Sequence, residues 1–71
     1  MGVLNHMAIA RNLRVARART GLSQKELAKS SGVCETTISF LESGKHEMIR
    51  MSTLQKLADV LGVPIEELIE E

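Results

Sequence analysis

The sequence contains few of the residues that stabilise small folds through disulfides or metal sites. Its 71 residues include one cysteine, one proline and one phenylalanine, and neither tryptophan nor tyrosine. The single cysteine, Cys34, forms no disulfide and no zinc site within one chain, which suits a reducing cytosol. No apolar run approaches the ~20 residues of a membrane span, so we expect no membrane segment. These absences leave a small cytoplasmic domain that depends on its apolar core alone.

Signals of catalysis are missing as well. The two histidines, His6 and His46, lie in segments without a clear pattern. No Ser-His-Asp spacing, phosphate-binding glycine loop or paired buried carboxylate accompanies them. We therefore expect no enzyme activity, no cofactor and no metal, and we interpret His46 as a solvated loop residue.

The net charge is zero, which on its own argues against a nucleic-acid partner. The charges are nevertheless separated along the chain. Residues 1–32 carry six basic residues and a single glutamate, a net charge of +5, whereas residues 33–71 carry three basic and eight acidic residues, a net charge of −5. Such a division either creates an oriented field, with the acidic end pointing away from any polyanion, or reflects two solvated helix faces.

The most informative stretch is 23–44, SQKELAKSSGVCETTISFLESG. Ser23 and Glu26 have the spacing of a capping box, which starts a helix. Gly32 can adopt the left-handed conformation that ends this helix, and Gly44 ends the helix that follows. Two short helices joined by a glycine-containing turn form a helix-turn-helix unit, whose second helix fits the DNA major groove.

This stretch resembles one family in particular. Its pattern, SQ-x-x-LA-x-x-x-GV-x-x-x-x-IS-x-x-E-x-G, is similar to the signature of the Cro and C1 repressor type of helix-turn-helix domain, also called the XRE family. The resemblance runs from about Ile9 to Leu68. It implies an all-α, lambda-repressor-like compact bundle of five short helices. It also implies a sequence-specific transcriptional regulator that binds double-stranded DNA, at a pseudo-palindromic operator, as a homodimer.

The other helices follow from apolar spacing and stop signals. The first is predicted from about Met7 to Arg19, and the third from Cys34 to Ser43. The fourth is predicted to begin at a Ser52–Gln55 capping box, although the family alignment starts it one or two residues earlier. Pro64 suits the first turn of the fifth helix. The whole chain is predicted to be one domain, with a disordered tail at residues 1–6.

The outward face of the third helix is found by exclusion. Ile38 and Leu41 lie three residues apart and form an apolar stripe that must face the core, as Val33 does just before the helix. Five residues then face outward: Cys34, Glu35, Thr36, Thr37 and Phe40. By the resemblance, base edges are read from four of these positions: Cys34, Glu35, Thr36 and Phe40. The resemblance also implies that Gln24, at the start of the second helix, contacts a base edge or a phosphate. Thr36 offers a hydroxyl or a methyl group to a base, and Glu35 can accept a hydrogen bond from cytosine N4.

Two of these positions keep alternative interpretations. Phe40 departs from the polar residue that is usual in the family, and it either touches a thymine methyl group or packs on a neighbour. Cys34 opens the helix, where a thiol can become a reactive thiolate. The alternative is that Cys34 is only a small residue near the DNA.

The resemblance also implies which groups contact phosphates. The free N–H groups at the start of the second helix suit a phosphate oxygen. Three family positions join them, occupied here by Ser23, Ser43 and Lys45, and Arg14 and Arg17 add positive charge. Family members pair the glutamate at position 42 with the arginine at position 17. Arg17 and Glu42 are therefore expected to tie helix 1 to helix 3, unless they are two unrelated surface charges.

The loop before the fourth helix is unusually apolar. Either Met51, with Ile49, tucks into the edge of the core, or a partner protein covers the surface from Met48 to Met51. The second interpretation belongs to a rival function, an interaction module such as an antitoxin that neutralises a partner protein.

The fifth helix suggests how two copies would associate. Leu68 is expected to face inward, whereas Ile65 and Ile69 share another face and would stay exposed in a monomer. We therefore predict a homodimer interface formed by Val63, Ile65 and Ile69. Met48 and Ile49 are the alternative patch, and a monomer with exposed isoleucines is the third interpretation.

Overall fold

The computed structural model describes residues 5–45 and 48–71. Five helices follow one another in this part of the chain: α1 His6–Thr20, α2 Gln24–Ser31, α3 Glu35–Ser43, α4 Met51–Leu61 and α5 Ile65–Ile69. No strand occurs within those ranges, which confirms the predicted all-α architecture with a central helix-turn-helix. None of these helices has both the length and the apolar character that crossing a membrane requires. His46, interpreted above as a loop residue, lies outside the described ranges.

Helix α1 begins one residue earlier than predicted because Asn5 caps it. The side-chain carbonyl of Asn5 accepts hydrogen bonds from the backbone N–H groups of Met7 and Ala8, both at 3.0 Å. His6 is the first helical residue as a result. Two residues of the predicted tail therefore belong to the folded domain, and the other four lie outside the part of the chain that the structure describes.

Helix α2 begins with the capping box that the spacing predicts. The Glu26 N–H donates to Ser23 Oγ at 3.0 Å, and the Ser23 N–H donates to Glu26 Oε1 at 2.8 Å. At the other end Gly32 has a φ of 78°, a left-handed conformation that glycine adopts without strain. The Gly32 N–H donates to the carbonyl of Ala28 at 2.9 Å, which closes α2 and turns the chain toward α3.

Helix α4 does not begin at the predicted capping box. Its first residue is Met51, and Arg50 occupies the N-cap position without a side-chain cap. Ser52 is already inside the helix, so its hydroxyl is not at the position that caps the first turn. Gln55 instead donates to Asp59 Oδ1 at 2.8 Å, one turn along the helix. The earlier start that the family alignment gives is the correct one.

Side chains from all five helices meet in one core. Among the described residues, the largest fully buried side chains are Ile9, Leu13, Leu27, Ile38, Leu54, Leu57 and Leu68. Helix α1 packs against α3, α4 and α5, while α2 packs against α3 and α4. Because the inner face of α3 lies against α1 and α2, its opposite face is presented to solvent.

Helix α5 has five residues and follows directly after Pro64, which is its N-cap rather than part of its first turn. Asn12 of α1 anchors its end, since Asn12 Nδ2 donates to the carbonyls of Leu68 at 3.0 Å and Glu70 at 2.6 Å. Leu68 is fully buried, as predicted. Ile65 and Ile69 are partly buried against the core, so the expectation that they stay exposed is wrong. The cause is the close packing of α5 on both α1 and α4.

Candidate nucleic-acid interface

Helix α3 presents the outward face that the sequence predicts. Val33, Ile38 and Leu41 are buried, with exposed fractions of 8%, 0% and 3%. The residues left on the other side are all exposed: Cys34, Glu35, Thr36, Thr37 and Phe40. Phe40 is the largest of them and exposes 54% of its surface. Burial thus separates the residues that hold α3 from those that can meet a partner.

Cys34 occupies the N-cap position of α3, and its thiol is exposed. The backbone N–H groups of Thr36 and Thr37 face the sulfur, and together with the Thr36 side chain they lower the pKa of the Cys34 thiol. The Cys34 side chain accepts no capping hydrogen bond from the helix. The thiol therefore lies at the positive end of the helix without being fixed there.

Glu42, near the end of α3, is the most buried charged residue among those described, with 4% of its surface exposed. Arg17 of α1 donates to both carboxylate oxygens, from Nε to Oε2 at 2.6 Å and from Nη2 to Oε1 at 2.9 Å. Gln24 of α2 donates to Oε1 at 3.0 Å. Arg14 donates to the backbone carbonyl of Glu42. Side chains from α1 and α2 thus converge on one residue of α3.

This network keeps Glu42 ionised. Burial alone would raise the pKa of Glu42, but the hydrogen bonds from Arg17 and Gln24 and the positive charges of Arg17 and Arg14 outweigh it, so the pKa lies below its usual value. The hydrogen bond to Glu42 likewise raises the pKa of Arg17. A buried carboxylate whose two oxygens accept these hydrogen bonds can hold α3 at a fixed angle to α1 and α2.

The network changes the role that we assign to Arg17. Its Nη1 donates to the carbonyl of Leu22 at 2.9 Å, and its Nε and Nη2 are bonded to Glu42. All three nitrogens therefore donate to the protein, which gives Arg17 a structural role, and its expected phosphate contact stays a prediction for the two N–H groups that remain. Gln24 also has its amide nitrogen bonded to Glu42, a contact that sequence spacing does not reveal because the two residues lie on different helices.

Of the other expected phosphate ligands, Ser23, Ser43 and Lys45 lie at the ends of α2 and α3, and Arg14 lies on α1. Ser23 caps α2, and its hydroxyl oxygen accepts from the helix, which does not use the hydroxyl proton. The Ser43 hydroxyl donates to the carbonyl of Phe40 at 2.8 Å and accepts from the Lys45 N–H at 3.3 Å. The side chains of Lys45 and Arg14 are exposed. Three elements thus bring polar or basic groups to the surroundings of α3.

The apolar loop departs from the first of the two sequence expectations, and the surface covered by a partner protein stays a prediction. Ile49 packs against the core and is partly buried, whereas Met51 is 45% exposed, so the residue that tucks in is Ile49 and not Met51. Met48 is 74% exposed. It lines an open groove of about 330 Å³ together with Thr37, Leu41, Arg50 and Thr53. The groove lies between α3 and the start of α4.

Within the described ranges, no group of three or more histidine, cysteine, aspartate or glutamate side chains is placed to hold a metal ion. Sequence reasoning missed the contacts of Asn12 and Gln24, because each joins residues that are far apart in the chain. Spacing within one helix carries no signal for such a contact.

Comparison with known proteins identifies similar sequences. The profile of the HTH_3 family, described as helix-turn-helix, matches residues 13–68. An uncharacterized HTH-type transcriptional regulator from Archaeoglobus fulgidus is 44% identical over 57 residues, which are 79% of each chain. A glutamine–fructose-6-phosphate aminotransferase from Methanocaldococcus jannaschii is 39% identical over 61 residues, which are 86% of this chain but 6% of the aminotransferase. The chain likewise spans only 41% of the regulator RghRB from Bacillus subtilis, to which it is 42% identical over 57 residues, 80% of this chain.

Two solved structures share the fold closely. The hypothetical transcription factor NHTF from Neisseria superposes with a TM-score of 0.85 at 31% identity, over 97% of this chain and 84% of that one. The biofilm regulator SinR, solved in complex with DNA, superposes with a TM-score of 0.83 at 27% identity, over 87% of this chain and 98% of that one. The similarity thus covers nearly every described helix.

Proposed function

The chain belongs to the HTH_3 family of helix-turn-helix domains and is a DNA-binding domain of the transcription-regulator type, and we propose that it recognises a pseudo-palindromic operator as a homodimer in the cytoplasm. The observation that carries the proposal is the exposed outer face of α3, held by the buried Glu42 network. A helix positioned in this way can enter the major groove as a rigid unit. Two copies would read half-sites about one helical turn, ~34 Å, apart.

The proposed base contacts come from α3 and the start of α2. Those assigned to base edges are Cys34, Glu35, Thr36, Phe40 and Gln24, all exposed or partly exposed. For Gln24 the contact falls to the part of the amide that Glu42 does not bind. The neighbouring phosphates are assigned to the N-terminus of α2 with Ser23, to Ser43 and Lys45 after α3, and to Arg14.

The proposal has a direct test in genomic DNA. We expect the protein to retain a small set of genomic fragments in a mobility-shift assay, and the retained fragments to share a two-fold symmetric sequence. Binding should weaken steeply as salt rises, because phosphate contacts release counterions. Retention of all fragments alike, with no shared sequence, would contradict the operator part of the proposal.

A second candidate function rests on the exposed loop. Met48 is 74% exposed and lines the groove beside α3, and the net charge of the chain is zero. These features suit an interaction module, such as an antitoxin, that neutralises a partner protein. The same assay separates the two functions, because a module that only binds protein forms no DNA complex even at low salt.

A further inference from the structure

Helix α3 lacks the side chains that most often read purines. Its sequence, Glu35–Ser43, reads ETTISFLES and contains no arginine, lysine, asparagine or glutamine. Guanine is usually read by bidentate arginine or lysine, and adenine by bidentate asparagine or glutamine. The only such residue assigned to the bases, Gln24, has its amide nitrogen bonded to Glu42 at 3.0 Å. Recognition by α3 must therefore use other features of the base pairs.

The outer face of α3 offers an apolar surface instead. Thr36 and Phe40 lie four residues apart, so their side chains share one side of the helix. Both are exposed, and Phe40 exposes 54% of its surface. A threonine methyl group and an aromatic ring can contact the C5-methyl group of thymine, which projects into the major groove.

The surroundings of this surface favour nucleic acid over an apolar protein as its occupant. Lys45 lies two residues after the end of α3 and is exposed, and the capped N-terminus of α2 provides free N–H groups on the same helix-turn-helix unit. Exposed Arg14 is bonded to the end of α3 through the Glu42 carbonyl. A polyanion would satisfy these groups, whereas an apolar segment of a protein would leave them unmatched.

Resting on the proposed function, we propose that α3 recognises its operator through the C5-methyl groups of pyrimidines, with Phe40 as the specificity-determining residue. In the major groove, 5-methylcytosine carries its methyl group at the same place as thymine. Cytosine methylation at the position under Phe40 therefore strengthens binding, and the regulator distinguishes methylated from unmethylated DNA at that position.

The test removes single methyl groups from the operator. Each thymine of the selected operator is exchanged for deoxyuridine, which differs only by the missing C5-methyl group, and the Kd is measured by fluorescence anisotropy. We expect at least one exchange per half-site to weaken binding about fourfold, the factor that corresponds to one buried methyl group at about 0.8 kcal/mol. At the same position, a G·C pair carrying 5-methylcytosine should bind about fourfold more tightly than the unmethylated pair.

Three variants connect this effect to Phe40. Phe40→Ala should bind the thymine and deoxyuridine operators equally, whereas Phe40→Leu, which keeps an apolar side chain, should retain part of the difference. Lys45→Ala is the matched control, because it should weaken both operators alike and keep their ratio. Thermal unfolding of each variant verifies that it is folded, which is expected since Phe40 and Lys45 are exposed.

Three results would overturn the inference. If every deoxyuridine exchange left the Kd unchanged on an operator that is bound specifically, methyl recognition would be wrong and the proposed function would stand. If the methyl effect were present but equal in Phe40→Ala, the assignment to Phe40 would be wrong. If no specific operator were found, the inference would fail together with the function on which it rests.

Discussion

At the scale of single residues, Glu42 is the charged side chain on which the position of α3 depends. A buried carboxylate is costly unless it is paired and hydrogen-bonded. Here Arg17 binds both oxygens and Gln24 binds one of them. The same residue would repel a phosphate if it were exposed, so burial also removes its charge from the DNA-facing surface.

Removing either partner should therefore destabilise the fold strongly. We expect Glu42→Ala to lower the free energy of unfolding by ~3–5 kcal/mol, as for a buried pair that loses one member. The matched control is Glu67→Ala in the Arg19–Glu67 pair, which is exposed and has an N–O distance of 3.4 Å, where the loss should be ~0–1 kcal/mol. Urea unfolding measures both. Replacing Arg17 and Glu42 together should cost less than the sum of the single changes, and strict additivity would show that they do not interact.

The pH dependence of stability follows from the same group. The pKa of Glu42 is lower in the folded protein than in the unfolded chain, so the unfolded state binds the proton more readily. The stabilisation from Glu42 is complete above the unfolded pKa, about 4.3, and is lost as the pH falls through the folded value. Unfolding free energy measured from pH 7 downward should fall less steeply below about pH 4.3 in Glu42→Gln than in the wild type. Parallel curves would contradict the shift.

At the scale of elements, the helix boundaries depend on which residue can cap each helix. Ser23 and Ser52 have similar sequence contexts, Ser-x-x-Glu and Ser-x-x-Gln. Only Ser23 caps a helix, because Ser52 lies inside the first turn of α4. The two serines therefore form a natural pair for comparison.

Their replacement should have unequal effects on stability. We expect Ser23→Ala to lower the free energy of unfolding by about 1 kcal/mol, since it removes the acceptor for the Glu26 N–H. Ser52→Ala should change it by less than ~0.5 kcal/mol, as for an exposed residue away from special features. Thermal and urea unfolding of the two variants test this. Equal losses would indicate that Ser52 caps α4 in solution.

The sequence predicts elements better than contacts between them. The spacing of Ser23, Glu26, Gly32 and Gly44 is local, so it identifies α2, the turn and α3 directly. The packing of Ile49 rather than Met51 against the core could not be predicted, because it depends on the direction from which the loop enters α4. The bonds from Asn12 to α5 and from Gln24 to Glu42 join distant parts of the chain, which no periodicity encodes.

At the scale of the whole molecule, the charge separation along the chain is partly cancelled in space. Arg11 donates to the carbonyl of Glu71 at 3.2 Å, and Arg19 pairs with Glu67 at 3.4 Å. These two basic residues of α1 thus lie against the acidic C-terminal end. Near the end of α3, positive charge comes instead from Arg14, which donates to the Glu42 carbonyl, and from Lys45.

The homodimer is a prediction about the whole molecule, and its test needs variants that disrupt the interface and remain folded. We expect the wild type to sediment as a dimer at micromolar concentration, and Ile65→Glu and Ile69→Glu to sediment as monomers. Both isoleucines are partly buried, so circular dichroism must first show that the variants are folded. Met48→Glu is the control on the alternative patch, because Met48 is 74% exposed. A monomeric Met48→Glu variant beside dimeric isoleucine variants would move the interface to the loop.

The central claim is that the outer face of α3 reads base edges while its surroundings bind phosphates. The most direct measurement compares Thr36→Ala with Lys45→Ala on the selected operator and on a scrambled duplex over a series of salt concentrations. We predict that Thr36→Ala weakens operator binding by ~1–3 kcal/mol and leaves scrambled-duplex binding nearly unchanged. Lys45→Ala should weaken both duplexes alike and reduce the salt slope by about 1. An unchanged preference for the operator in Thr36→Ala would contradict the claim.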